Sequence, residues 1–129
     1  FREPAEAALH AIEVDPALTL AMDRAHLHQI LDNLLSNAAR HCSGAPGAIR
    51  LWAALQPHDK VALHVQDDGP GFDEGSRVHL FEPFFTTHPK GTGLGLYIAR
   101  ELAEANDAEL TLAAGAPGAD FVLTASQQP

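Results

Sequence analysis

The chain has 129 residues, which suits a single domain, 1–129, able to bury a real core. Hydrophobic residues make up 46% and charged residues 19%, which excludes a disordered chain; no apolar run approaches the roughly 20 residues of a membrane span. A net charge of −9 opposes a nucleic-acid partner, and the single cysteine, Cys42, excludes an internal disulfide and suits a reducing compartment. No secretory signal opens the chain, and a start at Phe1 without methionine leads us to expect a cytoplasmic segment of a longer protein, with no membrane contact of its own. The acidic balance does not oppose a small anionic ligand, which backbone N–H groups, a metal ion and one or two basic side chains can hold.

Ala11 to Val14 and Leu18 to Met22 are short apolar runs around Asp15-Pro16, and they predict two strands, as a hairpin. Asp23 offers a helix N-cap. Leu27, Ile30, Leu31, Leu34, Leu35 and Ala38 then fall at spacings of three and four, a helical stripe that should stop near Cys42. Ile49, Leu51, Ala53 and Leu55 alternate with Arg50, Trp52, Ala54 and Gln56, and Val61, Leu63 and Val65 alternate again after Pro57-His58-Asp59. That is strand, turn, strand.

The segment from Asp67 to Gly93 has no sustained period, so it predicts a structured loop with a short helix near Ser76 to Leu80. Leu94, Ile98, Leu102 and Ala105 define a second long helix ending by Asn106. Glu109 to Ala113 and Asp120 to Ala125 read as closing strands around Gly115-Ala116-Pro117-Gly118. The order predicts an α+β fold, a two-layer sandwich with a mixed sheet, helices on one face and a long loop.

Four segments carry chemistry. Asn33 and Asn37 are four apart, so they share one side of the first helix, with Arg40 a turn further on. Two amide oxygens facing a pocket could include a Mg²⁺ ligand; taken alone, the pair is more often a polar margin beside a core stripe. Asp67-x-Gly69-x-Gly71 follows a strand, where a carboxylate can accept from an exocyclic amine and glycines let backbone pass close to a planar base; a tight turn has equal claim. Gly91-Thr92-Gly93-Leu94-Gly95 opens the second long helix behind Lys90, leaving N–H groups open to phosphates. It is neither a Walker A loop nor a dinucleotide fingerprint, and it follows a loop where both of those require a strand. Phe81-Glu82-Pro83-Phe84-Phe85-Thr86-Thr87 places three of six phenylalanines in one loop, a lid, a docking surface or a satellite core. The eight histidines are scattered: His26 and His28 face different ways on a helix, and none has zinc spacing. His41, beside Arg40, is the one set apart.

In this order the four segments resemble the catalytic domain of sensor histidine kinases, within the gyrase, Hsp90, histidine kinase and MutL ATPase superfamily. Asn33 to His41 resembles the N box, Asp67 to Phe72 the G1 box, Leu80 to Thr87 the F box and Gly91 to Ala99 the G2 box. Gly118-Ala-Asp-Phe121 resembles the final strand, and the wording of lid and second helix is nearest the nitrogen-regulation and pilus-regulation kinases. The resemblance implies ATP and Mg²⁺: Asn37 as metal ligand, Asn33, Arg40 and His41 supporting metal and phosphates, and Asp67 on the adenine amine with Gly69, Gly71 and Phe72 about the base. Lys90, Gly91, Thr92, Gly93, Leu94, Gly95 and Leu96 would handle the phosphates, under a lid from Phe81 to Lys90 that includes Phe85, Thr86 and Thr87.

Hydrolysing relatives carry a glutamate where Asn33 stands, as general base for water; its absence fits transfer of the γ-phosphate to another nucleophile. By the same resemblance that nucleophile is a histidine on a dimerisation domain, with a response regulator beyond it. His10, followed by Ala11-Ile12, lacks the phosphoacceptor motif, so the chain should bind ATP without phosphorylating itself. An ATP-sensing module without phosphotransfer, and a serine kinase of the anti-sigma type, are the competing readings.

Overall fold

The computed structural model describes residues 9–13 (backbone path only), 19–86, 91–113 and 118–127. Among them one sheet contains β1 (Leu9–Glu13), β2 (Ile49–Gln56), β3 (Lys60–Asp67), β4 (Glu109–Leu112) and β5 (Asp120–Ser126), in the spatial order β1-β2-β3-β5-β4. β1 runs parallel to β2 and every other neighbouring pair is antiparallel, so the sheet is mixed. The helices are α1 (Arg24–His41), α2 (Glu74–Arg77) and α3 (Gly95–Ala105).

The expected β2–β3 hairpin forms from Gln56↔Lys60 through Ile49↔Asp67, and His58 and Asp59 take left-handed φ values of 66° and 56° at its turn. Two left-handed residues in succession match the twist of the flanking strands. Cross-strand partners share a face. The rows Leu51–Val65–Phe121–Leu112 and Ala53–Leu63–Leu123–Leu110 therefore line one side of the sheet. They join Ile30, Leu34, Leu35 and Ala38 of α1 and Ala99 and Ala103 of α3 in a single core. Each fully buried Leu or Ile there contributes on the order of 1.5–3 kcal/mol by leaving water.

α1 begins as the sequence predicts. The Asp23 side chain accepts from the His26 N–H at 2.9 Å, and the stripe buries Ile30, Leu34, Leu35 and Ala38 completely, with Leu27 and Leu31 at its edge. No helix among the described residues is long and apolar enough to cross a membrane.

Three expectations need correction. The N-terminal runs do not pair with each other: Leu9–Glu13 adds to the edge of β2, while Leu20 makes a lone antiparallel bridge to Gln127 and Ala21 N–H donates to Ser126 O at 2.8 Å. The pairing is long-range because α1 must start at Asp23 beside the end of β5; residues 14–18 lie outside the described residues. Second, α3 buries Ala99 and Ala103, whereas Ile98 is 38% exposed and Ala105 faces solvent. Small residues let α3 approach α1 closely, while Leu96 and Leu102 pack partly buried against the core, so the helix and its end are as expected but its most buried positions are the alanines. Third, the short helix spans Glu74–Arg77, capped by Asp73 accepting from Ser76 N–H at 2.7 Å, earlier than Ser76 to Leu80.

Candidate functional site

Asn33 and Asn37 project from α1 toward the start of α3. The Asn33 Nδ2 donates to Gly95 O at 3.1 Å, and its Oδ1 accepts from Gln29 Nε2 at 3.1 Å. Asn37 is 7% exposed, and its Nδ2 is buried without a partner among the described residues. Such an orphan is costly to keep, on the order of 1–3 kcal/mol, and invites a ligand. One turn on, His41 Nδ1 lies 2.8 Å from Asn37 O and its ring meets Phe72 edge-on at 5.6 Å. Arg40 is exposed at the rim.

Asp67 ends β3 and is 3% exposed. Its Oδ1 accepts from Gly69 N–H at 2.8 Å and, more weakly, from Ala119 N–H at 3.4 Å; Oδ2 has no hydrogen-bond partner among the described residues. Burial raises the Asp67 carboxyl above the usual aspartate value, and the Gly69 and Ala119 hydrogen bonds pull against that shift. The chain around it is tightly stacked. A Cβ on Gly118 would stand 2.0 Å from Asp67 O, and one on Gly69 would stand 2.3 Å from His41 O. Here the glycine spacing therefore serves backbone-to-backbone packing, a reason the sequence reading did not supply.

α3 begins at Gly95 with no side-chain capping its first turn, so its leading N–H groups have no side-chain acceptor at Leu94. Thr92 Oγ1 accepts from Leu94 N–H at 3.2 Å and orders the approach. Ahead of it the Phe84 N–H donates to Gly93 O at 2.7 Å, closing the base of the long loop.

These elements converge. Asn33, Asn37, Arg40, His41, Phe72, Phe85, Thr86, Gly93, Gly95 and Leu96 line one cleft, together with Leu80, which the sequence reading left out. Leu80 opens the F-box match but belongs to the hydrophobic core, so it was not expected to line the cleft. Asp67, Gly69 and Gly71 lie beyond that lining, joined to it through His41 and Phe72; Gly91, Thr92 and Leu94 also stand outside it. Thr87 and Lys90 lie outside the described residues. The cleft encloses only about 30 Å³, far less than the roughly 300 Å³ or more of a ligand pocket, because Phe72, Leu80, Phe85 and Leu96 fill it. A larger hollow of about 880 Å³ along Arg24, His28, Gln29 and Asp32 contains none of the predicted site residues.

A sandwich that leaves its polar cleft between two helices and a loop, with a buried carboxylate at a strand end, is that of a nucleotide-binding ATPase domain. The chain belongs to the histidine kinase-, DNA gyrase B- and HSP90-like ATPase family, whose model matches residues 22–129. It is 47% identical over 92 residues to the sensor protein kinase PilS of Pseudomonas aeruginosa, covering 69% of this chain and 17% of that protein. It is 40% identical over 98 residues to the nitrogen regulation protein NtrY of Azorhizobium caulinodans, covering 71% of this chain and 13% of that protein. The expected nearness to pilus-regulation and nitrogen-regulation kinases holds. The chain thus spans under a fifth of the length of these relatives. Among solved structures, the nucleotide-free catalytic domain of histidine kinase ThkA superposes with a TM-score of 0.79 at 31% identity, covering 96% of this chain and 84% of that one. Full-length ShkA in complex with AMPPNP superposes at 0.78 and 32% identity, covering 95% of this chain and 26% of that one.

Proposed function

We propose that the cleft binds Mg-ATP and that the chain donates the γ-phosphate to a histidine on a separate dimerisation domain, in a two-component pathway ending at a response regulator. Asp67 carries the reading. A buried strand-end carboxylate with one oxygen tied to backbone and the other without a hydrogen-bond partner among the described residues suits the exocyclic amine of adenine and disfavours guanine, which presents an oxygen there.

The Asn37 carboxamide suits a Mg²⁺-phosphate group: it lies buried in the cleft, its unpartnered Nδ2 can donate to a phosphate oxygen, and its Oδ1 is the kind of hard oxygen that Mg²⁺ takes alongside waters and phosphates. When bound, the ion would offset phosphate charge. The leading N–H groups of α3 receive phosphate oxygens, and Arg40 adds a cation at the rim. Thr87 and Lys90 complete the lid by resemblance. Transfer breaks the bond between the γ-phosphorus and its bridging oxygen, whose electron pair leaves with ADP, and forms a bond to an imidazole nitrogen. The chain's contribution is positioning and charge stabilisation. Because the cleft is nearly filled, ATP entry requires its apolar lining residues Phe72, Leu80, Phe85 and Leu96 to move apart.

Isothermal titration tests the site: Mg-dependent ATP binding should collapse in Asp67→Asn and Asn37→Ala, and undiminished affinity in Asp67→Asn would sink the adenine assignment. Supplying a dimerisation segment and radiolabelled ATP tests the transfer. Acid-labile label on histidine is expected. No label favours an ATP-sensing module, and acid-stable label a serine kinase.

A further inference from the structure

We propose that Gln29, outside all four motifs, is a positioning residue for the nucleotide's phosphates, acting through Asn33 on the first residue of α3. The inference rests on the Mg-ATP reading above. Gly95 O can only accept, so the Asn33 carboxamide must turn its Nδ2 toward it, at 3.1 Å. That orientation points Asn33 Oδ1 the other way, where Gln29 Nε2, one helical turn earlier, donates to it at 3.1 Å. Both ends of the Asn33 side chain are thereby committed to protein. A donor at position 29 holds the amide in the orientation that pins α3. An acceptor there would draw Nδ2 away and set Oδ1 against Gly95 O, two acceptors face to face.

The consequence is local. Asn33 lies one turn before Asn37 on α1, and Gly95 begins the helix whose open N–H groups face the cleft. The Gln29–Asn33–Gly95 chain fixes the distance between the metal-ligand position and the phosphate-binding turn, without touching the base. Asn33 then acts as a strut between two helices, and direct contact with the metal and phosphates is left to Asn37, whose Nδ2 has no partner among the described residues.

The test compares wild type, Gln29→Leu, Gln29→Glu and Gln29→Lys in the present chain. ATP affinity in Mg²⁺ is read by calorimetry, adenosine affinity by chemical-shift titration and stability by thermal melts. Loss of one amide hydrogen bond predicts ATP binding about three- to tenfold weaker in Gln29→Leu, and weaker still in Gln29→Glu. Gln29→Lys, which keeps a donor toward Asn33 Oδ1, should bind ATP as wild type does. Adenosine affinity should stay unchanged throughout, and the melting temperature should fall by no more than a few degrees, because the hydrogen bond also forms without nucleotide. The order should persist at about 0.5 M salt, where exposed charges are screened within a few ångströms. ATP affinities that are equal in all four proteins overturn the proposal, as does Gln29→Lys losing as much as Gln29→Leu. An order that vanishes in salt, or adenosine affinity falling alongside ATP, also overturns it. If wild type binds neither ATP nor adenosine, the nucleotide reading itself fails and this inference falls with it.

Discussion

Phe84 and Gly93 lie backbone against backbone: the Phe84 N–H donates to Gly93 O at 2.7 Å, and a Cβ on Gly93 would stand 2.4 Å from the Phe84 carbonyl carbon. Both residues hold left-handed φ, 69° at Phe84 and 76° at Gly93. The contact ties the backbone at Phe84 directly to the approach to α3, beside the cleft that Phe85 and Gly93 both line. Gly93→Ala adds a side chain where only backbone lies, on top of a left-handed penalty of roughly 1–2 kcal/mol. We expect ATP affinity to fall at least tenfold and the melting temperature to drop by several degrees. Gly44→Ala is the control. Gly44 has φ of 81° with nothing within 4 Å of an added Cβ, so it should show the conformational penalty alone and unchanged ATP affinity.

If Asp67 holds the adenine amine as proposed, it links nucleotide binding to pH. Burial is the largest influence on its carboxyl and raises it above the ordinary aspartate value of 3.8. The folded state therefore holds the proton at pH values where the unfolded chain has released it, and between those two values stability falls as pH rises. The ionised carboxylate, which the proposed contact with the adenine amine needs, is thus sustained at a cost to stability. ATP affinity should decline with falling pH at a higher pH than an ordinary aspartate would give. Asp67→Asn should melt no lower than wild type at neutral pH, since Asn Oδ1 can still accept from Gly69 N–H. A calorimetric affinity profile from about pH 4 to 8, with melts of both proteins, checks both statements; an affinity profile flat down to pH 4 would contradict the first.

What the sequence made legible follows from which interactions are local. The α1 stripe and its Asp23 cap are set by neighbours three and four residues apart, and β2 and β3 alternate because one face meets the helices. The parallel addition of Leu9–Glu13 to β2 has no local signal, since its partner lies about forty residues away across α1. Likewise Ala99 and Ala103 are buried by a helix crossing that demands small side chains, and hydrophobicity alone pointed to Ile98. At the site, motif residues from four segments do meet in one cleft. Gln29 carried no signal because it is an ordinary polar helix residue, and Leu80, though it opens the F-box match, was not read as lining the cleft because it is an apolar loop residue.

Asp68 ties the C-terminal end of α1 to the loop after β3. Its Oδ1 accepts from Ser43 N–H at 2.8 Å and its Oδ2 from the Ser43 hydroxyl at 2.6 Å, while Asp68 N–H donates to Ala48 O at 3.0 Å. The Ser43 hydroxyl is the largest influence holding this carboxyl below its usual value. A depressed carboxylate contributes stability that is present above the unfolded value and is lost as pH falls through the folded one. Asp68→Ala should release the stretch that seats His41 O against Gly69 and raise the dissociation constant for adenosine as well as ATP. Asp68→Asn, which keeps an acceptor for Ser43 N–H, should lose less. Melting curves between about pH 2 and 7 should converge for wild type and Asp68→Ala at the acid end.

On the sheet face away from the helices, Arg50 Cζ lies 4.9 Å from the Trp52 ring, Trp52 stacks on His64 at 4.4 Å, and His64 Nδ1 lies 3.0 Å from Asp120 Oδ2. The carboxylate can only accept, so Nδ1 carries the proton in this pair. Asp120 is 7% exposed, which makes it sensitive to losing its donor. His64→Phe preserves a ring against Trp52 but strands the carboxylate, at a cost of about 1–3 kcal/mol. Adding Asp120→Val removes the stranded group and places a β-branched residue in a strand, so the double variant should be more stable than His64→Phe alone. Urea denaturation of the two single variants, the double and wild type gives the coupling directly. Because the cluster lies across the sheet from the cleft, ATP affinity at a temperature where all four are folded should not change. A double variant no more stable than His64→Phe would show that the stranded Asp120 carboxylate costs nothing, and a zero coupling across the cycle that the His64–Asp120 pair does not stabilise β3 against β5.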